Sequence, residues 1–210
     1  MKKSLLKIIK RILSTSKAKI HFCLLALVIG NFIQPLSLEA KQENKHFSNL
    51  KATFIVNTLH YIRWQDKDLP LGQKHVEFLI VGDDQNNIAA RLAYLIHSTE
   101  CKIKNYQLRI RQVSLLQEVK AQLGQGGNKV VLLLDSELNE WKREYYPNLP
   151  GTLIMGESSK YLRKGLVLTF RKEKNRLKLG VNLKRANAMN LQISSKLLSL
   201  NRVVIDELVH

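Results

Sequence analysis

The stretch that decides the fold is VEFLIVGDD, residues 76–84. It is a short and nearly continuous apolar run that ends in a glycine and two aspartates. Such a run is typical of a strand that is buried on both faces, as strands of parallel sheets are. Residues 87–98, NIAARLAYLIHS, follow it with apolar residues at helical spacing. A buried strand that leads into a helix indicates the beginning of an α/β unit.

The same alternation continues in both directions. Further strands are predicted at 106–113, 129–135 and 151–158, and helices at 50–64, 115–123 and 136–146. Residues 166–182, LVLTFRKEKNRLKLGVN, alternate on both sides of a turn at EKN and predict a β-hairpin. The fold class that follows is α/β: one domain with a largely parallel mixed sheet flanked by helices and a C-terminal hairpin. Turns are predicted at 65–74 and at GQGG, 124–127.

Three asparagines interrupt the C-terminal stretch VNLKRANAMNLQISSKLLSL, residues 181–200. Asn182 is placed to cap a short helix, and Ser194 to cap a second one. Asn190 stands where a helix ends, and asparagine tolerates the left-handed conformation found there. Asn187 is left for a solvent-facing or packing role. The stretch therefore predicts two short helices and no chemistry.

The N-terminus has the features of an export signal. Residues 1–19 carry seven lysines and arginines and no acid, and the apolar run HFCLLALVIGNFI, 21–33, follows. Leu38 and Ala40 suit a cleavage site, so residues 1–40 are interpreted as a signal peptide. An uncleaved membrane anchor is the alternative. Residues 41–47 then form a polar lead-in, and residues 48–210 form the folded domain.

Removal of residues 1–40 leaves a strongly basic chain. It retains 27 Lys+Arg and 16 Asp+Glu, a net charge of +11, against +17 for the whole sequence. A basic surface favours an acidic protein face, lipid headgroups or nucleic acid. Export makes nucleic acid the weakest of these, so no nucleic-acid partner is predicted. Cys101 is then the only cysteine, and it is either a buried small apolar residue or a link between two subunits.

The strand ends offer two candidate sites. Gly82, Asp83 and Asp84 follow a buried strand, where α/β folds place ligands, and they predict a crevice for a small ligand. Together with Asp135, Ser158 and Lys164 they also suggest a phospho-accepting receiver domain. The competing interpretation is that these acids simply favour helix N-termini. The sequence has no metal-ligand spacing and no nucleophile motif, so no catalytic residue, metal or cofactor is predicted.

The hairpin is the candidate partner surface. Its sequence FRKEKNRLKL, residues 170–179, concentrates basic residues beside apolar ones. Such a patch suits an anionic partner, although a solvated turn has the same composition. The contact residues are predicted to be Leu168, Phe170, Arg171, Arg176 and Lys184.

Four segments together resemble the YfiR family of bacterial periplasmic regulators. They are LKATFIVNTLHYIRW, VEFLIVGDD, KGLVLTF and GVNLKRANAMNLQISSKLLSL, and the resemblance extends over residues 50–204. It implies a periplasmic protein without catalysis that binds the sensor domain of an inner-membrane diguanylate cyclase. Binding keeps the cyclase inactive, which lowers the level of cyclic di-GMP and reduces biofilm formation. Members tend to dimerise, so a homodimer is an expected state.

The chain departs from the family pattern at several positions. Gln65 stands where the family usually has proline, and Asn190 where it has glycine. Lys164 replaces the first residue of a glycine pair, and Asn201 a common alanine. The cysteines of disulfide-bonded members are missing, which puts redox control of this chain in doubt.

Overall fold

The computed structural model describes residues 46–65, 75–114, 116–119, 129–141, 149–173 and 176–205. Residues 47–210 belong to one compact unit. The predicted signal peptide, most of the polar lead-in, the 65–74 turn apart from Gln65, and the GQGG turn lie outside the described residues.

The described residues contain ten strands and five α-helical segments. The strands are β1 (Ile62–Trp64), β2 (His75–Val81), β3 (Lys102–Ile103), β4 (Tyr106–Val113), β5 (Lys129–Leu133), β6 (Leu153–Gly156), β7 (Leu168–Glu173), β8 (Arg176–Val181), β9 (Leu191–Ile193) and β10 (Val203–Ile205). The helices are α1 (46–59), α2 (Ile88–Ser98), α3 (116–119), α4 (Leu183–Ala188) and α5 (Ser195–Leu198). Two 3-10 helices cover Asp135–Glu137 and Ser159–Lys164.

Eight of these strands form a mixed sheet in the order β10-β8-β7-β6-β5-β2-β4-β3. Strands β4, β2, β5, β6 and β7 run parallel to their neighbours in this series. The opening stretch lies near the middle, where Phe78 of β2 is opposite Ile110 of β4 and Val130 of β5. Residues 78–81 are fully buried, as an apolar run between two covered faces predicts. The predicted α/β class, with its largely parallel sheet and terminal hairpin, is confirmed.

The antiparallel strands lie at the two ends of the sheet. Strands β7 and β8 form the predicted hairpin, with Arg171 opposite Lys178. Strand β10, which the sequence analysis did not predict, pairs parallel to β8, and β3 pairs antiparallel to β4.

The helix predicted to reach Trp64 is wrong at its C-terminal end. Helix α1 stops at residue 59, and β1 then pairs antiparallel with β9, with Ile62 opposite Ile193. Ile62 and Trp64 are buried while Arg63 between them is exposed, which is strand periodicity. Apolar residues at positions 59 and 62 also satisfy helical spacing, so the local pattern could not separate the two structures.

The helix predicted at 136–146 is also corrected within the described residues. A 3-10 turn covers Asp135–Glu137, and turns continue to residue 140. The buried Glu137 carboxylate accepts a hydrogen bond from the backbone N–H of Leu116, 3.1 Å away, and Trp141 donates its indole N–H to the carbonyl of Lys164 at 3.1 Å. These long-range contacts favour the irregular path over a helix. Residues 142–148 lie outside the described part.

The two short C-terminal helices are confirmed, with their caps. The Asn182 side-chain oxygen accepts from the backbone N–H of Arg185 at 2.8 Å. Ser194 accepts in the same way from Lys196 at 3.3 Å. Asn190 is left-handed, with φ of 56°. The sequence analysis missed β9, which lies between the two helices.

Candidate functional site

The β7–β8 hairpin has one inward and one outward face. Leu168, Phe170, Leu177 and Leu179 point inward and are at most 1% exposed. Leu168 and Phe170 were predicted to contact a partner, and the structure corrects that role, because both belong to the core. Successive side chains of a strand point to opposite faces, so the neighbours of an exposed basic residue point toward the core.

The outward face carries a charged cluster. Arg171 lies opposite Lys178, and Glu173 opposite Arg176, so all four side chains share one side of the hairpin. One oxygen of Glu173 lies 2.8 Å from Arg171 Nη2 and 3.0 Å from Lys178 Nζ. The hydrogen bond from Lys178, with a smaller contribution from Arg171, lowers the pKa of Glu173. We call Arg171, Arg176 and Lys178 the basic hairpin face.

Two of the predicted contact residues, Arg171 and Arg176, therefore come together, and Lys184 does not join them. Arg176 begins β8 beside the hairpin turn, whereas Lys184 follows the other end of that strand. At a rise of about 3.3 Å per residue, roughly 17 Å of strand separates the two ends of β8. Lys178 shares this face with Arg171. It was not among the predicted contact residues, although its place in the hairpin register was available from the sequence.

The crevice predicted at Gly82–Asp84 lies where α/β folds place ligands. Strands β2 and β5 are neighbours, and the chain leaves them toward opposite ends of the sheet, which makes their carboxyl ends a switch point. Ser136 occupies part of this switch point. Asp83 N–H donates to Ser136 Oγ at 2.9 Å, and a Cβ on Gly82, whose φ is +116°, would collide with the same oxygen.

The polar groups around this crevice have structural partners. The two carboxylate oxygens of Asp84 accept from the backbone N–H groups of Ile88 and Ala89, at 2.7 and 2.9 Å, at the start of α2. Lys164 donates to the carbonyls of Leu138 and Trp141. Ser158 caps the 3-10 helix that follows it. These contacts agree with the helix-terminus interpretation of the acids, and no contact here favours the receiver or small-ligand interpretation.

A buried ion pair that the sequence did not reveal lies at the same edge. Lys51 of α1 pairs with Glu157, which follows β6, and the two side chains are 10% and 13% exposed. The other oxygen of Glu157 accepts from the backbone N–H of Asp135 at 3.3 Å. Burial raises the pKa of Asp135, and the negative charge of Glu157 raises it further by a smaller amount. The group fixes α1 to the carboxyl ends of β5 and β6.

Cysteine and metal-binding residues offer no further site. Cys101 is buried, and burial raises the pKa of its thiol, which agrees with a packing role more than with an exposed subunit link. Across the described ranges no three His, Cys, Asp or Glu side chains are arranged to hold a metal ion. Within the same ranges no helix has the length and apolar character needed to span a bilayer.

The fold and its surface define a class: an α/β protein with a largely parallel sheet and, among the described residues, a hairpin that carries exposed basic side chains on one face. Residues 48–202, more than half of the chain, match the model of the YfiR/HmsC-like family. The chain therefore belongs to the YfiR/HmsC-like family, which confirms the resemblance seen in its motifs. No curated protein matches the chain.

Proposed function

We propose that this protein is a periplasmic regulator that binds the periplasmic sensor domain of an inner-membrane diguanylate cyclase and holds the enzyme inactive. The observation that carries the proposal is membership of the YfiR/HmsC-like family over residues 48–202. The consequence in the cell is a lower level of cyclic di-GMP and less biofilm. The chain itself acts without catalysis, by binding alone.

The mechanism is a shift between two states of the cyclase. A bound regulator can shift that equilibrium only by the difference between its affinities for the inactive and the active state. The regulator must therefore contact a part of the sensor domain that differs between the two states. A change in the regulator that weakens this contact releases the cyclase.

The basic hairpin face is the proposed contact. Arg171 and Arg176 are exposed at the outer end of the hairpin, and the buried side of the hairpin fixes their position. Charges on an exposed rim accelerate association with an acidic surface and set its orientation. Lys184 remains a proposed second contact, at the far end of β8. A homodimer, which the family resemblance implies, also remains a prediction.

The test is a pair of charge reversals in cells that contain the cyclase. The regulator carrying both Arg171→Glu and Arg176→Glu is expected to lose capture of the cyclase from solubilised membranes, and cyclic di-GMP is expected to rise. The matched control reverses Arg63 and Arg109, two exposed arginines on β1 and β4, and is expected to behave as the parent.

Two results would contradict the proposal at different levels. If the parent chain captures no cyclase and leaves cyclic di-GMP unchanged, the regulatory function is wrong. If the parent captures the cyclase and the hairpin variant captures it equally well, the function stands and the contact surface is wrong.

A further inference from the structure

A cavity of about 430 Å³ opens on the outward face of the hairpin. It lies between β7, β8, the edge strand β10 and the 3-10 helix Ser159–Lys164. Its volume falls within the range of small-molecule sites, about 300–1,000 Å³. It is distinct from the strand-end crevice, since none of Gly82, Asp83 and Asp84 lines it.

Three cations line this cavity. Arg171 and Lys178 reach it from the hairpin, and Arg163 reaches it from the 3-10 helix. Arg171 and Lys178 already converge on one carboxylate oxygen, that of Glu173, at 2.8 and 3.0 Å. The spacing of these two cations therefore suits a carboxylate. Arg163 makes no ion pair with the residues that the structure describes, so its charge is available to a ligand.

The base of the cavity contains a polar group without a partner. Thr169 is fully buried, and its hydroxyl has no hydrogen-bond partner within the described chain. A buried hydroxyl in that state costs free energy, and each such group in a folded protein calls for an explanation. Gly180, directly opposite on β8, has no side chain, and Leu162 packs against it beside the hydroxyl: a Cβ at Gly180 would lie 2.7 Å from Thr169 Oγ1 and closer still to Leu162 Cδ1. A ligand oxygen that enters the cavity would supply the missing partner.

The remaining wall is apolar. Leu162 closes one side, and Val204 and Ile205 of β10 form another. Val204 and Ile205 are 40% and 39% exposed, so this wall presents apolar surface to solvent. A purely inorganic anion would leave this surface in contact with water, whereas a ligand with a hydrocarbon part would cover it.

From these contacts we infer that the hairpin cavity binds a small organic carboxylate that carries an apolar chain. The carboxylate lies among Arg163, Arg171 and Lys178, near the Thr169 hydroxyl, and the chain lies against Leu162 and β10. Glu173 acts as an internal competitor, because it occupies Arg171 and Lys178 when the cavity is empty. The inference does not depend on the proposed function, since it concerns binding by the chain alone.

Titration calorimetry of the purified chain tests this inference, with octanoate as the probe and octanamide as its uncharged counterpart. Octanoate is expected to bind about tenfold or more tightly than octanamide, since only octanoate brings a negative charge to the arginine and lysine side chains. Arg163→Gln is expected to weaken octanoate binding about tenfold. Glu173→Gln is expected to tighten it severalfold by freeing two cations. Arg109→Gln, which removes an exposed arginine on β4, is the matched control and should leave binding unchanged.

Thr169→Val provides a second test, whose expected result cannot be mistaken for the effect of misfolding. Valine keeps the shape and removes the unpartnered hydroxyl, so the unliganded variant should resist urea at least as well as the parent. Its affinity for octanoate should nevertheless fall. Equal affinities for octanoate and octanamide would overturn the inference. The inference would also be overturned if no binding of octanoate were detected. The same holds if Arg163→Gln melts like the parent and binds octanoate with the parent's affinity.

Discussion

At the scale of single residues, most polar side chains that look functional in the sequence stabilise the backbone. Asp84 caps α2, Asn182 caps α4, and Ser194 caps α5. Each accepts a hydrogen bond from an N–H group that the first turn of a helix leaves without an intrahelical partner. Asp84, Asn182 and Ser194 thus share an explanation that requires no ligand.

Asn182→Ala is expected to destabilise the protein. Asn182 is 4% exposed, and its side-chain oxygen is the acceptor for Arg185 N–H. Loss of such a cap costs about 1 kcal/mol, within a range of about 0.5–2. Urea denaturation measures the change. Asn187→Ala, an exposed position in the same helix, is the control and should change the free energy of unfolding by less than about 0.5 kcal/mol. Equal effects of the two substitutions would contradict the capping role.

At the scale of elements, Trp64 is one of the contacts that connect the small β1–β9 sheet to the rest of the fold. Trp64 is 4% exposed, and its indole N–H donates to the carbonyl of Gly151 at 3.0 Å. The N–H of Gly151 in turn donates to the carbonyl of Met189 at 2.8 Å. Gly151 lies just before β6, so these contacts connect the two-stranded sheet to the main one.

Trp64→Phe is expected to lower the free energy of unfolding by about 2 kcal/mol. Phenylalanine cannot donate a hydrogen bond, so the buried carbonyl loses its partner, and the smaller ring leaves space in the core. Denaturant titration provides the measurement, followed by far-UV circular dichroism. Arg63→Ala, at the exposed position between the two buried ones, is the matched control. If Arg63→Ala lowers the free energy of unfolding as much as Trp64→Phe does, the loss reflects disturbance of the strand and not of the indole contact.

The hairpin places its apolar residues in the core and its basic residues on the surface, although the two kinds are neighbours in the sequence. FRKEKNRLKL alternates apolar and basic residues over most of its length, and that alternation predicts an apolar face toward the core and a basic face toward solvent. The sheet confirms these two faces, because β6 pairs with β7 and the inward face packs on the core. The basic face is left outside, where it lines the cavity and forms the proposed contact surface.

At the scale of the whole molecule, helix α1 is tied to the carboxyl ends of the parallel strands by Lys51 and Glu157. Breaking such a pair on one side leaves a buried charge without a partner and costs more than the pair itself contributes.

Asp135 lies beside the pair, and its raised pKa gives the stability of the fold a pH dependence. A raised pKa means that the folded state holds this proton more tightly than the unfolded state does. The ionised Asp135 therefore costs stability as the pH rises.

Asp135→Asn is accordingly expected to stabilise the protein at neutral pH. The gain should be absent below the ordinary aspartate pKa of about 4, appear as the pH rises above it, and be complete above the raised pKa. Because Asp135 is only partly withdrawn from solvent, screening should keep the gain below about 1 kcal/mol. Urea denaturation at a series of pH values measures it. A difference between variant and parent that is the same at every pH would refute this explanation.

The sequence by itself determined the parallel strands, the hairpin, the two capped C-terminal helices and the family. These features depend on periodicity and capping over a few neighbouring residues, which a chain segment carries within itself. Only the tertiary structure decided that 62–64 is a strand, that β9 and β10 exist, that Leu168 and Phe170 are core, and that Ser136 packs against Gly82 and Asp83. Strands of three residues are too short to show a period, and their partners lie far away in the chain. Burial and cavity shape likewise arise when distant segments pack together, so no local pattern contains them.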